Sequence, residues 1–306
     1  MVNLSDSHHE VAQLTHSEQL AAGALAGAVA KTVIAPADRV KILYQVNPER
    51  RFTLGAAFKS ARVIVHNTGV SGLWRGHGAT LIRVMPYSAI SFMTFDRYKD
   101  MVRKYVTRQE DVSTRFFSGA LAGITASTMT YPLDLMRARM AAHWDLTPRY
   151  QTYSGACRLI VEREGFRALW NGLAPTLMGI VPYAGLSFAT FGTLKSYYKK
   201  RHGLRRDTDI PTSIRLLCGG GAGLLAQSAT YPLDIARRRM QVGTRESAIY
   251  YTTVAEALSK TFKSEGLAGL YKGLSMNWLK GPIAVSVSFL VNDQIKGAFR
   301  DRRSGL

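Results

Sequence analysis

The chain of 306 residues carries 40 Lys and Arg against 21 Asp and Glu, a net charge of +19, and 46% of its residues are hydrophobic. Its two cysteines, Cys157 and Cys218, exclude a disulfide framework and a four-thiolate metal site. The charge and a mean hydropathy of −0.05 would suit a soluble protein that binds nucleic-acid phosphates. The order of residues along the chain tests this hypothesis.

In chain order, the first feature is a polar extension at residues 1–16, with no apolar core before a cleavage site and no Arg-rich pattern. We therefore expect neither a signal peptide nor a transit peptide there. Uncharged runs then recur along the chain, at 19–30, 84–95, 116–133, 168–194, 216–233 and 281–292. A bilayer-spanning helix needs about 20 mostly apolar residues. Only 168–194 exceeds that length alone, and the other runs reach it by including a charged residue at one end. Together they predict six membrane-spanning helices, which replaces the soluble hypothesis.

The sequence also repeats itself three times. A motif of proline, one residue and aspartate begins at Pro36, and again 96 and then 100 residues later, at Pro132 and Pro232. Such repetition predicts three copies of one structural unit, which we place at 17–105, 112–202 and 212–303. Between the two spans of each copy, apolar residues at helical spacing predict a short amphipathic helix at the membrane surface. These segments lie near 53–66, 151–163 and 250–264.

Charged residues after the three prolines are the most informative feature of the repeats. Each proline lies inside a helical pattern, where it bends the helix. An acid and, three residues later, a base follow it: Asp38 and Lys41, Asp134 and Arg137, and Asp234 and Arg237. Within one helix such residues could pair, but three recurrences favour a ring in which each acid meets the base of a neighbouring helix. Because an unpaired charge is costly at membrane depth, this proline-motif ring would close a central passage.

The second helix of each copy carries a comparable set of charges. Asp96 precedes Lys99 and Asp293 precedes Lys296 by three residues, whereas the middle copy has Gly192 before Lys195. Two rings that form and break in turn would give alternating access. Since the middle copy lacks the acid, we expect the second ring to be weaker and to favour opening on its side.

A pair of glycines four residues apart precedes each proline motif. The pairs are Gly23/Gly27, Gly119/Gly123 and Gly219/Gly223. We interpret them as sites of close helix packing, because small residues let backbones approach each other in a membrane.

This constellation resembles the mitochondrial carrier family from about Glu18 to Lys296. Besides the proline motif, each copy has a later triplet that ends in glycine, namely Trp74-Arg75-Gly76, Trp170-Asn171-Gly172 and Tyr271-Lys272-Gly273. The resemblance implies an all-α membrane protein with six transmembrane helices in a pseudo-threefold bundle of three repeats, with short matrix-side amphipathic helices. It also implies a monomeric, multi-pass protein of the mitochondrial inner membrane, with cardiolipin as a lipid partner.

The resemblance further implies roles for individual residues. It places the proline-motif ring on the matrix side, with the pairs Asp38–Arg137, Asp134–Arg237 and Asp234–Lys41. Gln45 and Gln241 occupy positions where the family has a glutamine that braces this ring. The equivalent position in the second copy holds Ala141 and therefore has no such glutamine. On the cytoplasmic side it pairs Asp96 with Lys195 and Asp293 with Lys99. Thr68 departs from the family's acid before Gly69.

A symmetric frame cannot by itself recognise an asymmetric substrate, so specificity is expected where equivalent positions differ. Such positions hold Arg83, Gly179 and Lys280 in the second helices, and Lys31, Ser127 and Gln227 in the first. Lys31, Arg83 and Lys280 would place three cations at mid-span with no matching acids, which predicts an anionic small-molecule substrate. Alternatively, these long side chains could extend to the membrane surface. That interpretation is less suitable, because the three positions lie well inside the spans.

The family resemblance narrows the ligand further. Gly179-Ile180 is a pair found in carriers of adenine nucleotides, and Tyr183 follows where it could stack on a base. The stretch from Gly273 to Val285 resembles the coenzyme A branch of the family. We predict counter-exchange (antiport) of coenzyme A, or dephospho-coenzyme A, for an adenine nucleotide such as ADP or adenosine 3′,5′-diphosphate. The predicted substrate-binding residues are Lys31, Arg83, Gly179, Ile180, Tyr183, Gln227 and Lys280.

Two transport functions remain as alternatives. An ATP/ADP exchanger would share the run Arg237-Arg238-Arg239-Met240, although the longer methionine run of that carrier is absent. A proton-leak protein of the same fold would require titratable acids in the cavity, and none stands out among the mid-span positions. An enzyme is not expected, because no nucleophile–base pair, metal-ligand cluster or phosphate loop occurs in its required context. A nucleic-acid partner is not expected either, because the predicted membrane spans replace the soluble hypothesis. No cofactor or metal is predicted.

Overall fold

The computed structural model of the protein describes residues 15–49, 52–107, 112–142, 152–204, 206–244 and 250–304. These residues are mainly helical and contain no β-strand, which confirms the predicted all-α class. The predicted polar extension 1–16 lies outside them except for its last two residues. Nine α-helices occur in the described ranges: α1 His16–Val46, α2 Leu54–Thr68, α3 His77–Val102, α4 Val112–Ala142, α5 Tyr153–Glu164, α6 Leu173–His202, α7 Thr212–Val242, α8 Val254–Leu270 and α9 Leu274–Ser304.

Six of these helices, α1, α3, α4, α6, α7 and α9, have between 26 and 31 residues. At a rise of 1.5 Å per residue, even the shortest is about 39 Å long, more than the hydrocarbon core of about 30 Å. By length and composition alone, the segments Phe166–His202 and Leu274–Phe299 pass as candidate spans among the described residues. The other four have the length but less apolar sequences.

Three shorter helices lie between the long ones, where the repeat predicts them. Each begins after a threonine whose hydroxyl accepts a hydrogen bond from a backbone N–H of the first turn, as preferred N-cap residues do. Thr53 Oγ1 accepts from Ala56 at 3.1 Å, Thr152 Oγ1 from Gly155 at 3.3 Å, and Thr253 Oγ1 from Glu256 at 3.2 Å. The same cap in each repeat sets where α2, α5 and α8 begin.

The chain forms two compact units. The smaller unit comprises the chain up to Ala35 and from Leu279 onward, and therefore holds the first part of α1 and most of α9. In α1 it contains a buried stripe of small residues at four-residue spacing, Ala22, Ala26 and Ala30. The larger unit, Pro36–Trp278, contains all the other helices together with the two ends that continue from α1 and into α9.

In the larger unit, α3 packs against α4 and α6 packs against α7. Two apolar clusters lie where the proline-motif ends of the long helices meet the short helices. One joins Leu43 and Tyr44 of α1 to Ile64 of α2, and the other joins Leu135 of α4 to Ile160 of α5. The core of this unit is therefore at the proline-motif end.

Gly119 and Gly219 face the neighbouring long helices α3 and α6, at distances that would also accommodate an alanine, so a need for glycine there stays a prediction. A Cβ added to Gly119 would lie 3.9 Å from Phe95, and one added to Gly219 would lie 4.0 Å from Phe191, both ordinary contact distances. The buried face is the neighbouring stripe of alanines, Ala122 and Ala126 in α4 and Ala222 and Ala226 in α7. Since each helical residue is rotated by about 100° from the next, the stripe one position away occupies a different face.

Candidate functional site

Two ion pairs of the proline-motif ring are formed in the larger unit. Arg137 Nη2 donates to Asp38 Oδ2 at 2.7 Å, and Arg237 Nη2 donates to Asp134 Oδ2 at 2.5 Å. Both pairs join helices of different repeats and not residues three apart in one helix. Asp134 is the most buried of these groups, with 1% of its side chain exposed.

The third repeat interface differs. Among the described contacts, no ion pair joins Asp234 to Lys41. Lys41 Nζ instead lies 5.2 Å from the centroid of the Tyr231 ring, a distance suited to a cation–π interaction. Asp234 lines a cavity described below. The Asp234–Lys41 pair therefore stays a prediction.

Two tyrosines, which the sequence analysis missed, connect the glutamines to the ring. Gln45 Nε2 donates to Tyr231 Oη at 3.0 Å, and Gln241 Nε2 donates to Tyr131 Oη at 3.0 Å and to Asp134 Oδ2 at 2.7 Å. Both tyrosines are fully buried. The sequence held a signal for them, because tyrosine precedes the motif proline in the second and third copies and alanine precedes it in the first.

The hydroxyls of these tyrosines also donate to backbone carbonyls. Tyr131 Oη donates to Asn171 O at 3.0 Å, and Tyr231 Oη donates to Lys272 O at 2.8 Å. Each carbonyl belongs to the triplet that ends in glycine and directly precedes the second long helix of the repeat. The tyrosines therefore tie the first helix of each of these repeats to the start of its second helix.

A second layer of charges, also missed, lies behind the ring. Arg139 pairs with Glu164, with Nη2 to Oε2 at 2.8 Å, and also donates to Gln241 O at 2.8 Å. Arg239 pairs with Glu265 and donates to Gln45 O at 3.1 Å. The signal was the acid before glycine in the second and third copies. Each arginine therefore connects a short helix to the end of a long helix in the next repeat.

Lys272 extends the pair in the third copy. Its Nζ donates to Glu265 Oε2 at 2.8 Å and to the backbone oxygen of Asn47 at 2.7 Å. Burial lowers the pKa of Lys272, although the hydrogen bond to Glu265 opposes that shift. In the first copy, Thr68 stands at the acid position and its hydroxyl donates to Ile64 O at 2.8 Å.

Glycine closes each triplet because the backbone approaches a neighbouring helix end there. Gly172 has φ of +83°, and an added Cβ would lie 2.9 Å from Tyr131 Oη and 3.0 Å from Arg237 O. The left-handed conformation and the close approach both exclude larger residues. Gly76 makes the same approach to Arg137 O, at 3.0 Å. The second helix of one repeat thus begins against the proline-motif helix of the next.

Above the ring, the larger unit contains a cavity of about 310 Å³. Five of the predicted substrate-binding residues line it: Arg83, Gly179, Ile180, Tyr183 and Gln227. It is also lined by Tyr87, Ser127, Pro175, Thr176, Thr230, Leu233, Asp234 and Arg237. Arg83, Gly179 and Gln227 belong to three different repeats and were predicted because they differ from their counterparts. One cavity therefore brings these positions together.

The residues that line the cavity combine two kinds of chemistry. Arg83 and Arg237 supply positive charge and Asp234 supplies a carboxylate, and hydroxyl and amide groups complete the polar part of the lining. The rest of the lining is mainly apolar and includes Gly179, Ile180, Leu233 and the ring of Tyr183. Leu233 Cδ1 lies 3.9 Å from the site of a Cβ added to Gly179, so these two residues are neighbours. Such a cavity can hold an anionic group beside a flat apolar one.

The expectation that Arg83 has no matching acid is wrong. Its Nη1 donates to Asp134 Oδ1 at 3.2 Å, and its Nε donates to Thr130 Oγ1 at 3.2 Å. The guanidinium also lies 5.1 Å from the centroid of the Tyr87 ring. Spacing along the sequence could not show this pair, because the positions equivalent to Arg83 hold Gly179 and Lys280, so no threefold recurrence signals it. Lys31, which is exposed, and Lys280, which is half-buried, belong to the smaller unit, and their substrate role stays a prediction.

At the other end of α6, Lys195 contacts Asp207 and not Asp96, which is exposed. Lys199 Nζ also donates to Asp207 Oδ1, at 2.8 Å. Hydrogen bonds from these two lysines lower the pKa of Asp207 to about 2. The predicted pair of Asp96 with Lys195 is therefore absent from this structure, and the sequence analysis missed Asp207 because it lies in the linker after α6.

The other charged residues of the second ring lie on α3 and α9. Lys99 and Lys296 are half-buried, and Asp293 is exposed. Asp293 and Lys296 belong to the smaller unit. Their pairing stays a prediction.

Comparison with known proteins identifies the three-repeat pattern. The sequence profile of the family "Mitochondrial carrier protein" matches residues 12–106, 108–202 and 208–303. The chain is 44% identical over 292 residues to the mitochondrial coenzyme A transporter SLC25A42 of Homo sapiens, covering 93% of this chain and 89% of that protein. It is 45% identical over 281 residues to the protein of that name from Danio rerio, covering 90% and 84%. Solute carrier family 25 member 16 of Bos taurus is 39% identical over 293 residues, with 91% and 87% covered.

Proposed function

Because the chain belongs to the mitochondrial carrier protein family, we propose that it exchanges coenzyme A, or dephospho-coenzyme A, for an adenine nucleotide. Family membership confirms the predicted all-α fold of three repeats and the location as a multi-pass protein of the mitochondrial inner membrane. The chain is thus a transporter. That the counter-substrate is ADP or adenosine 3′,5′-diphosphate is part of the proposal. So are a monomeric state and cardiolipin as the lipid partner.

The observation that carries the proposal is the cavity, whose lining combines arginine side chains with apolar ones. Coenzyme A contains an adenine nucleotide with an additional 3′-phosphate and a pantetheine arm, so it offers a flat base and several phosphates. Arg83 and Arg237 supply counter-charges for phosphate, and the surface of Gly179, Ile180 and Leu233 suits the base. The relatives named as coenzyme A transporters support this substrate over other anions of similar charge.

In this proposal, the proline-motif ring is the closed gate beneath the cavity. Asp38–Arg137 and Asp134–Arg237 join neighbouring repeats and hold that end together. At the far end of α6, Lys195 contacts Asp207 and is not engaged with Asp96. The state described therefore forms two ion pairs of the proline-motif ring while leaving Asp96 and Lys195 apart. Alternating access requires a second state in which these engagements are reversed.

Reconstituted exchange tests the substrate. Liposomes loaded with ADP should take up labelled coenzyme A, and an excess of unlabelled external dephospho-coenzyme A or adenosine 3′,5′-diphosphate should compete. Arg83→Gln should abolish uptake, whereas Arg158→Gln is the matched control, because Arg158 lies on the exposed face of α5 and pairs with Glu162. Uptake of ATP with no uptake of coenzyme A would instead indicate an ATP/ADP exchanger. Equal rates for both arginine variants would contradict the site.

A further inference from the structure

The linker between α6 and α7 contains a turn that is anchored to α7. The turn spans Asp207–Asp209 and has 3₁₀ geometry. Arg215, at the start of α7, donates from Nη2 to Thr208 O at 2.7 Å and from Nε to Ile210 O at 2.9 Å. Ile210 is buried, whereas the three residues of the turn are exposed. The backbone of the turn is therefore held against α7 while its side chains stay accessible.

The two acids of this turn have different partners. Asp209 Oδ2 accepts from the backbone N–H of Arg206 at 3.1 Å, a contact within the linker. Asp207 instead contacts α6, because it accepts from Lys195, and its Oδ1 accepts from Lys199 Nζ at 2.8 Å. Like charges four residues apart on one helix repel each other, so a carboxylate that contacts both lysines stabilises this end of α6. We call these two contacts of Asp207 the linker ion pairs.

Lys195 is a base whose own helix supplies no acid at the position that the other copies use. Three residues before the base, the first and third copies have Asp96 and Asp293, and the second copy has Gly192. The second ring predicts that Asp96, on α3, is the partner of Lys195. The structure pairs Lys195 with Asp207, and Asp96 is exposed. The linker therefore supplies the acid that α6 lacks.

We propose that Asp207 competes with Asp96 for Lys195 and thereby favours the state in which α3 and α6 are not joined at the second ring. This inference rests on the proposed function, in that alternating access requires Lys195 to engage the second ring in the other state. Asp207 is not among the described residues that line the cavity. It is a positioning residue, because it acts on transport through Lys195.

The linker ion pairs shift the equilibrium between the two states without fixing it. The side chains of Asp207 and Lys195 are 55% and 24% exposed, so water can replace the contact when it breaks. An exposed ion pair changes an equilibrium constant by up to about fivefold. A transporter that passes through both states in each cycle requires such a weak contact, since a strong one would hold it in one state.

The distance between the ends of α3 and α6 tests the proposal. Spin labels on Met101→Cys and Tyr197→Cys, two exposed positions near those ends, report this distance by double electron–electron resonance. The measurement uses the purified full chain without substrate, and the native cysteines are removed as Cys157→Ser and Cys218→Ser. Populations of shorter and longer distances then represent the joined and separated states.

Asp207→Asn should increase the population of the shorter distance. The variant keeps the size of the side chain but releases Lys195, which can then engage Asp96. The ratio of short to long distances should rise by about two- to fivefold, as for the loss of an exposed ion pair. Asp207→Glu keeps the charge and should keep the ratio close to that of the wild type. An unchanged or lower ratio in Asp207→Asn would overturn the proposal.

Two further variants separate competition from a loosened linker. Lys199→Gln also removes one of the linker ion pairs, but it leaves Asp207 to Lys195, so the ratio should not rise. In the double variant Asp207→Asn with Asp96→Asn, the released Lys195 has no acid on α3 to engage at the second ring, and the rise should disappear. A rise in either variant as large as in Asp207→Asn would overturn the proposal.

Failure of the proposed function is distinguishable, because the distances are measured without substrate. If Asp207→Asn gives the expected distances but liposomes take up no coenzyme A, the competition for Lys195 stands and the substrate assignment fails. If liposomes take up coenzyme A but Asp207→Asn leaves the distances unchanged, the substrate assignment stands and the role of Asp207 is refuted.

Discussion

The buried charges behind the ring give the sharpest prediction for stability. Glu265 pairs with Arg239, whose side chain is 0% exposed, and with Lys272, whose side chain is 5% exposed. Glu265→Gln keeps the size of the side chain but leaves two buried cations without their counter-ion. Removing one partner of a buried pair costs about 3–5 kcal/mol. At about 2 °C per kcal/mol for a chain of this size, the melting temperature should fall by about 6–10 °C.

Thermal unfolding of the detergent-purified protein, followed by far-UV circular dichroism, measures this shift. The matched control is Glu162→Gln in α5, which breaks a pair with Arg158 whose side chains are 55% and 82% exposed. An exposed pair contributes about 0–1 kcal/mol, so the control should melt within about 2 °C of the wild type. If Glu265→Gln melted no lower than Glu162→Gln, the claim that this buried cluster holds the repeats together would be refuted.

Three further substitutions test other parts of the ring and its surroundings. Gly172→Ala should lower the melting temperature, because φ of +83° costs an alanine about 1–2 kcal/mol. In the matched variant Gly220→Ala an added Cβ meets nothing within 4 Å, and equal losses in both would contradict the backbone argument. Tyr131→Phe should cost about 1–3 kcal/mol, because it leaves buried groups without their hydrogen bonds; an unchanged denaturant midpoint would rule out a stabilising role for that hydroxyl. Asp207→Asn should increase chemical labelling of Lys195 at neutral pH, as read by mass spectrometry. Hydrogen bonds from the lysines lower the pKa of Asp207 to about 2 in the folded protein. The wild-type contact therefore contributes to stability in full above the ordinary carboxyl pKa and should be lost as pH falls through about 2. Loss of the contact near pH 4 would contradict the assignment.

Positions that break the threefold pattern could be identified from sequence, because each residue can be compared with the equivalent residues of the other two copies. Arg83 and Gly179 were singled out because their counterparts differ, and both line one cavity. What Arg83 touches could not be predicted in the same way. Its contact with Asp134 joins two repeats, and the distance between them is set by how α3 packs on α4.

Other features were hidden for different physical reasons. The glycine pairs indicated a packing face, but Ala122 beside Gly123 is the buried residue, and a shift of one position along a helix changes the face. Glu265 was visible as part of a motif, yet its partner Arg239 lies on another helix. Asp207 carried no repeat signal at all, because it lies in the linker before α7.

The central claim, exchange of coenzyme A against an adenine nucleotide through the arginine-lined cavity, is tested most directly by trans-stimulation. The measurement is the initial rate of labelled coenzyme A uptake into liposomes that contain the wild-type protein, with and without internal ADP. The account predicts rapid uptake with internal ADP and background uptake without it, because an exchanger takes up one substrate only as it releases another. Equal rates under both conditions would contradict exchange.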